Sequence, residues 1–289
     1  MTPEIPVTAV IASRNAGAGL AACLDGLAGF GEIVVIESGN PDSARAPAST
    51  YGARVVPFQW TGRYPKKRQW ILENVALKHD WLLFIDADER MTPALAAEIR
   101  DTVAKADRPG FFVDGVYEIR GRVLNRGFRN RKLVLLRKGA FAFPHVDDLD
   151  FPGMGEMEGH YQPVSASGRK LRLGRLRNPM IHVVEDRSEW YARHRRYAQW
   201  TACMNAARAW PEDPSRVREM AKRLWRSWPL KPFAVFWGNY LLRGGFLDGR
   251  AGLEWARDRA WYAREIRRAA AGTGKETKRA AMPPASGAP

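Results

Sequence analysis

The chain has 289 residues, of which 45% are hydrophobic, enough for one large domain or for a domain with an appendage. Two cysteines, Cys23 and Cys203, exclude a disulfide framework and fit a reducing compartment. A formal charge of +15 implies an anionic partner, whether nucleic acid, nucleotide phosphate or an acidic membrane face.

The N-terminus has no basic segment followed by an apolar run, so no signal peptide is expected. The most apolar stretch, Pro232–Leu242, falls short of the roughly 20 residues a membrane span needs.

In chain order, Val7–Ala12 is β-branched and apolar and predicts a first strand, closed by a turn at Ser13-Arg14-Asn15-Ala16-Gly17. Leu20, Leu24 and Leu27 share one face of a short helix. Glu32–Glu37 predicts a second strand, ended by a turn at 38–42, and Ala53–Pro57 a third. Tyr64–Leu77 predicts a helix carrying Lys66, Lys67 and Arg68. The apolar run Trp81–Ile85 predicts a buried parallel strand, and Thr92-Pro93 opens a helix to about Lys105. This order predicts an α/β fold with a mostly parallel, doubly wound sheet, Ser13, Glu37 and Asp86 lining one rim.

Beyond Gly110 the texture changes. Phe111–Ile119 and Lys132–Leu136 predict antiparallel additions to the sheet, and 178–183 a last short strand. Between them, 143–162 is a loop dense in acids, Gly and Pro, of the length that usually serves function. Residues 186–271 read as basic, aromatic-rich helices, the first opened by Asp186-Arg187-Ser188-Glu189, and 272–289 as a disordered tail.

The chemistry concentrates where the buried strand runs into Asp86-Ala87-Asp88-Glu89. Ligands of open α/β sheets bind beyond the carboxyl ends of strands. Two carboxylates there suit Mg²⁺ or Mn²⁺ with phosphate oxygens and water as co-ligands, or else are solvated acids before a helix cap.

Four pieces in order carry a resemblance: strand then Ser13-Arg14-Asn15; strand then Glu37-Ser38-Gly39; Trp60-x-Gly62-x-Tyr64-Pro65-x-Lys67-Arg68-Gln69-Trp70; and strand then Asp86-Ala87-Asp88-Glu89. Together they resemble family 2 glycosyltransferases, in the branch like the lipopolysaccharide-core β-1,4-glucosyltransferases. The Arg-Gly-Gly-Phe-Leu-Asp-Gly segment at Arg243–Gly249 adds to the likeness.

The resemblance implies a GT-A fold, a nucleotide-sugar donor, by default UDP-linked, and a divalent metal, Mn²⁺ or Mg²⁺. It places Ser13, Arg14, Asn15, Glu37, Arg68 and Asp86 at the donor, and Asp88 and His182 at the metal. The family usually has Asp where this chain has Glu37. Gly153-Met154-Gly155 resembles the glycine loop before the catalytic acid. A base must take the acceptor hydroxyl's proton; Glu158 is favoured, then Glu156, with Asp148 or Asp150 behind. Close relatives carry His-Glu where this chain reads Glu156-Met157-Glu158-Gly159-His160. One carboxylate base implies direct displacement with inversion.

A GT-A catalytic domain is thus expected over 1–185, its nucleotide-binding half at 1–106 and its acceptor half at 107–185. Aromatics interleaved with arginines at 186–271 suit an anionic membrane surface, and equally helices packed by aromatic residues. The expected setting is the inner face of the cytoplasmic membrane, the expected acceptor a glycan or lipid-linked sugar of the cell envelope. Two other readings remain: a nucleotidyltransferase making sugar nucleotides, for which the loop 13–19 is only weakly suited, and a basic nucleic-acid-binding protein. No nucleic-acid recognition motif is found, so no nucleic-acid partner is expected.

Overall fold

The computed structural model describes residues 4–15, 17–154, 156, 161–184, 186–213 and 215–280. The chain divides into two compact units, Met1–His145 with Gly155–Glu185, and Val146–Met154 with Asp186–Pro289.

The first unit is built on a ten-stranded sheet. β1 (Ile5–Ser13), α1 (Gly17–Asp25), β2 (Phe30–Glu37), α2 (Pro41–Thr50), β3 (Arg54–Pro57), α3 (Lys67–Asn74) and β4 (Trp81–Asp86) alternate regularly. Then follow β5 (Glu89–Arg90), α4 (Pro93–Lys105), β6 (Gly110–Ile119), β7 (Arg122–Val123), β8 (Asn130–Arg137), β9 (Phe141–Ala142), β10 (Val164–Ser165), β11 (Gly174–Arg175) and β12 (Met180–Val184). The main path runs β3-β2-β1-β4-β8-β6-β12-β5. β3, β2, β1 and β4 are mutually parallel. β8 lies antiparallel to both β4 and β6, and β12 returns parallel to β6. The fold is α/β with a mostly parallel central sheet, as the GT-A resemblance implies.

β1, β2 and β4 are apolar without alternation because both faces of the sheet are covered; Val7, Ile11, Val34, Val35, Leu82 and Leu83 are all buried. Register then fixes the rim. Ser13 pairs with Glu37 and Ala12 with Asp86, so the polar residues ending three strands come out at one edge.

Several boundaries differ from the sequence reading. α2 lies in a Pro-, Ser- and Ala-rich stretch not expected to be helical. Asn40 caps it by accepting from the Asp42 amide at 3.0 Å, and Pro41 sits at its start. α3 is shorter than 64–77: Lys66 and Val75, at its two ends, are both extended. α4 opens as expected, Thr92 Oγ1 accepting from the Leu95 amide at 3.1 Å.

The second unit contains α5 (Arg187–Ala207), α6 (Arg216–Ser227), α7 (Lys231–Trp237) running into a π-helical turn at Gly238–Leu242, a 3-10 turn at Gly245–Asp248, and α8 (Gly249–Ala280). α8 therefore extends past Gly272, where a structureless tail was expected. Asp186 caps α5, accepting from the Ser188 amide at 2.6 Å and the Glu189 amide at 3.3 Å. Arg187 on α5 reaches Glu254 and Asp258 on α8, each at 2.6 Å.

The glycines of the 243–249 segment have a steric cause. Gly244 and Gly249 adopt φ of +70° and +62°. α8 also passes so close to this turn that a Cβ on Gly252 would sit 1.9 Å from the Gly245 carbonyl oxygen. The aromatics of this unit divide: Trp190, Trp200 and Trp255 are buried between helices, whereas Trp225, Trp228, Phe233 and Trp237 are exposed.

Candidate active site

Two clusters stand along the rim formed by the carboxyl ends of β1, β2 and β4. The first is organised by Glu37, a carboxylate 1% exposed at the end of β2. One of its oxygens accepts from Ser13 Oγ at 2.6 Å; the other accepts from the Asn15 and Gly39 amides at 3.0 and 2.6 Å. The turn after β1 supplies two of these donors because Asn15 takes a left-handed φ of +54°, a conformation Asn tolerates well. Its Oδ1 in turn accepts from the Asn40 amide at 2.8 Å. A Cβ on Gly39 would fall 2.1 Å from that oxygen, so a larger residue there would have to displace the Asn15 side chain.

Loss of this carboxylate should be felt in stability. Glu37→Ala removes the acceptor of two amides and a hydroxyl and is expected to cost about 2 kcal/mol. Glu37→Gln, which can still accept both amides, should cost about half as much or less. Urea denaturation of the two variants checks the difference.

Lys67 joins the first cluster from α3. Its ammonium, nearly buried, donates to the Ser13 carbonyl at 2.9 Å and to Ser38 Oγ at 2.7 Å. Glu156, from the loop before β10, lies here too. Its Oε1 accepts from Ser38 Oγ at 3.0 Å and lies 3.4 Å from Arg14 and 3.8 Å from Lys67.

The second cluster is centred on Asp86. Arg68 donates to one of its oxygens at 2.5 Å and Lys132, at the start of β8, to the other at 2.8 Å. Lys132 also donates to Glu89 at 2.7 Å, and the second Glu89 oxygen accepts from the Asp86 amide at 3.0 Å. Burial raises the Asp86 carboxyl, but Lys132 and Arg68 outweigh it and hold the group well below the usual carboxylate range. Burial likewise disfavours the Lys132 ammonium, and Asp86 and Glu89 more than reverse this, raising it. Cys23 donates from beneath to the Asp86 carbonyl at 3.7 Å; burial, then the Glu89 charge, push its thiol up, which suits a packing residue and not a nucleophile.

Asp88 lies one step further along the turn, its side chain 36% exposed. The antiparallel pairing of β5 with β12 sets Glu89 opposite His182, and Asp88 Oδ1 stands 3.4 Å from His182 Nδ1. Neighbouring ligands around an octahedral Mg²⁺ are about 3 Å apart. This oxygen and nitrogen therefore fit adjacent positions on one hard cation. Among the described residues, no group of three or more His, Cys, Asp or Glu side chains is arranged to hold an ion. A cation here would take its remaining ligands from phosphate oxygens and water.

The structure brings Ser13, Arg14, Asn15, Glu37 and Glu156 into one cluster, Arg68 with Asp86 into the next, and Asp88 with His182 beside them. Glu158 and Gly155 lie outside the described residues. Asp148 is buried and Asp150 exposed, both within the second unit. Sequence reasoning passed over Lys67, Glu89 and Lys132. Lys67 was visible as one of three consecutive cations, and Glu89 as the third acid of its run. Lys132 carried no signal, because only the antiparallel placement of β8 beside β4 brings it to Asp86.

Residues 8–163 match the family described as Glycosyl transferase family 2. A curated relative, the lipopolysaccharide core biosynthesis glycosyltransferase LpsC of Rhizobium meliloti (strain 1021), is 32% identical over 112 residues, covering 37% of this chain and 40% of that relative. The chain thus spans well under half the length of this relative. Among solved structures, residues 1–349 of Staphylococcus aureus TarS align over 93% of this chain and 91% of that one, with 12% identity and a TM-score of 0.46. Glucosyl-3-phosphoglycerate synthase of Mycobacterium tuberculosis, in complex with Mn²⁺, UDP and glucosyl-3-phosphoglycerate, aligns over 39% of this chain and 44% of that one, with 22% identity and a TM-score of 0.31.

Proposed function

The chain belongs to glycosyl transferase family 2, and from that premise we propose that it transfers a sugar, with inversion, from a UDP-linked donor to a glycan or lipid-linked acceptor of the cell envelope. The observation that carries the reading is the shared rim of the two clusters, a Glu37-centred cradle beside Asp86, Asp88 and His182.

In this reading the donor nucleotide lies along Ser13, Arg14 and Asn15, with Glu37 holding that loop and meeting the base or ribose. Arg68 and Asp86 face the ribose and diphosphate. Asp88 and His182 hold a divalent cation, Mn²⁺ or Mg²⁺, which when bound neutralises charge on the diphosphate leaving group. The acceptor hydroxyl gives its proton to a carboxylate as its oxygen bonds to the anomeric carbon. The bond from that carbon to the diphosphate oxygen breaks, and its electron pair leaves with the nucleoside diphosphate. Of the candidate bases, Glu158 is preferred; Glu156 is engaged with Ser38 and near two cations on the donor side. Residues 1–106 form the donor half in this scheme and 107–185 the acceptor half.

A chain with this charge and with exposed aromatics in its second unit works, we infer, at an anionic membrane face on the cytoplasmic side. Among the described residues no helix is long and apolar enough to cross a membrane, so the attachment proposed is peripheral.

Calorimetric titration of UDP with and without Mn²⁺ tests the donor assignment. Binding tightened at least tenfold by Mn²⁺ is expected. No UDP binding in either condition would remove the uridine donor from consideration.

A further inference from the structure

The exposed cations of the second unit are not equivalent. Four of the five on α6 are committed to acids: Arg218 and Lys222 to Asp213, and Arg223 and Arg226 to Glu219, at 2.7 to 3.3 Å. Those of α8 include two of another kind. Arg257 and Arg264, seven residues apart and so on one helix face, have no hydrogen bond or ion pair among the described residues. With Arg267 they form one wall of a groove of about 530 Å³ whose other wall is Pro232, Phe233, Phe236 and Trp237 of α7.

Three features of the groove point to one kind of occupant. Its apolar wall is open to solvent, Phe233 being 66% and Trp237 52% exposed. Just past α7 the chain leaves Leu241 and Leu242 55% and 82% exposed as well. Finally, the charged residues that line it, Arg257, Arg264 and Arg267, are all cations. Lys231, at the start of α7, has its ammonium disfavoured by burial and then by Arg226 and Arg259. A wall of aromatics against arginines without acids is complementary to a molecule with a phosphate at one end and hydrocarbon at the other.

We propose that the α7–α8 groove is a phospholipid-headgroup site through which the chain docks on an anionic bilayer, Arg257 and Arg264 meeting the lipid phosphate and Phe233 and Trp237 entering the acyl boundary. The proposal deepens the membrane reading above and rests on it, while being independent of the donor chemistry.

The test is sedimentation of the full chain with vesicles of phosphatidylcholine alone and of phosphatidylcholine with about one third phosphatidylglycerol, for the native protein, Arg257→Gln/Arg264→Gln and Phe233→Ser/Trp237→Ser. All four positions are solvent-exposed, so the variants should fold, which circular dichroism checks. The native chain should prefer the phosphatidylglycerol vesicles, and loss of both arginines should weaken that binding about 30-fold at low salt. The aromatic variant should weaken binding to a comparable degree. Equal binding by the native chain and the arginine variant overturns the proposal. So does full release of the native chain from the vesicles by millimolar inorganic phosphate at constant ionic strength, which would mark a site for free phosphate. UDP titrations on the same variants keep the two readings apart: unchanged UDP binding with lost vesicle binding supports the groove, whereas vesicle binding without UDP binding leaves the groove standing and removes the donor assignment.

Discussion

Asp88→Ala is expected to abolish the Mn²⁺-dependent part of UDP binding and to lower turnover about a thousand-fold, the loss of roughly 4 kcal/mol of leaving-group stabilisation. The reason is geometric. Asp86, the other acid of the pair, has both oxygens taken by Arg68 and Lys132, so it cannot replace Asp88 at a cation without giving up an ion pair. His182→Ala should have the same direction and a smaller effect, since a neutral ligand contributes less to a hard cation than a carboxylate. The measurements are UDP calorimetry with and without Mn²⁺ and release of UDP from UDP-sugars. If Asp88→Ala kept the native response to Mn²⁺, the metal assignment would fail. If it lost UDP binding in metal-free buffer as well, Asp88 would be acting directly on the nucleotide.

Lys132→Met is expected to be the most destabilising single change at the site, by about 3 kcal/mol, because it leaves the carboxylate of Glu89 buried without its cation. Glu89 is 2% exposed and Lys132 lies 2.7 Å from it. Asp86 would keep Arg68, whereas Glu89 would keep only the Asp86 amide at 3.0 Å and His182 at 4.0 Å, so the charge that loses most is that of Glu89. At roughly 2–4 °C per kcal/mol the thermal midpoint should fall by about 6–12 °C. Lys132→Arg should recover part of the loss by keeping the charge, and Lys132→Met combined with Glu89→Gln should recover more by removing the orphaned carboxylate. A double variant no more stable than the single one would show that Lys132 acts through Asp86 instead.

The sequence was legible where one physical cause dominates. Strands buried on both faces announced themselves as apolar runs at β1, β2 and β4, and their polar terminators gave the rim because in a parallel sheet the carboxyl ends point one way. The caps of α4 and α5 followed from Thr92-Pro93 and from Asp186-x-x-Glu189. α2 was missed because its composition is that of a loop, although Asn40-Pro41 was a start signal. Lys132 lay beyond any local reading, since its role depends on which strand β8 pairs with, a contact between residues 46 positions apart in the chain. The aromatics at 186–271 allowed two readings, and residue type alone does not sort them: the buried Trp190, Trp200 and Trp255 pack helices, whereas Phe233 and Trp237 face outward.

The Glu37 junction bears on how a ligand would be received. Its carboxylate ties the loop after β1 to the loop after β2 through three hydrogen bonds, and Asn15 adds a fourth to Asn40. These bonds form when the sheet forms, so the rim loops lose their freedom during folding and not during binding. Preorganisation of this kind leaves little ordering entropy to be spent by an incoming nucleotide. Cutting the tie while preserving the fold, as Glu37→Gln would do in part, should therefore appear in UDP titrations as a less favourable entropy with the stoichiometry unchanged.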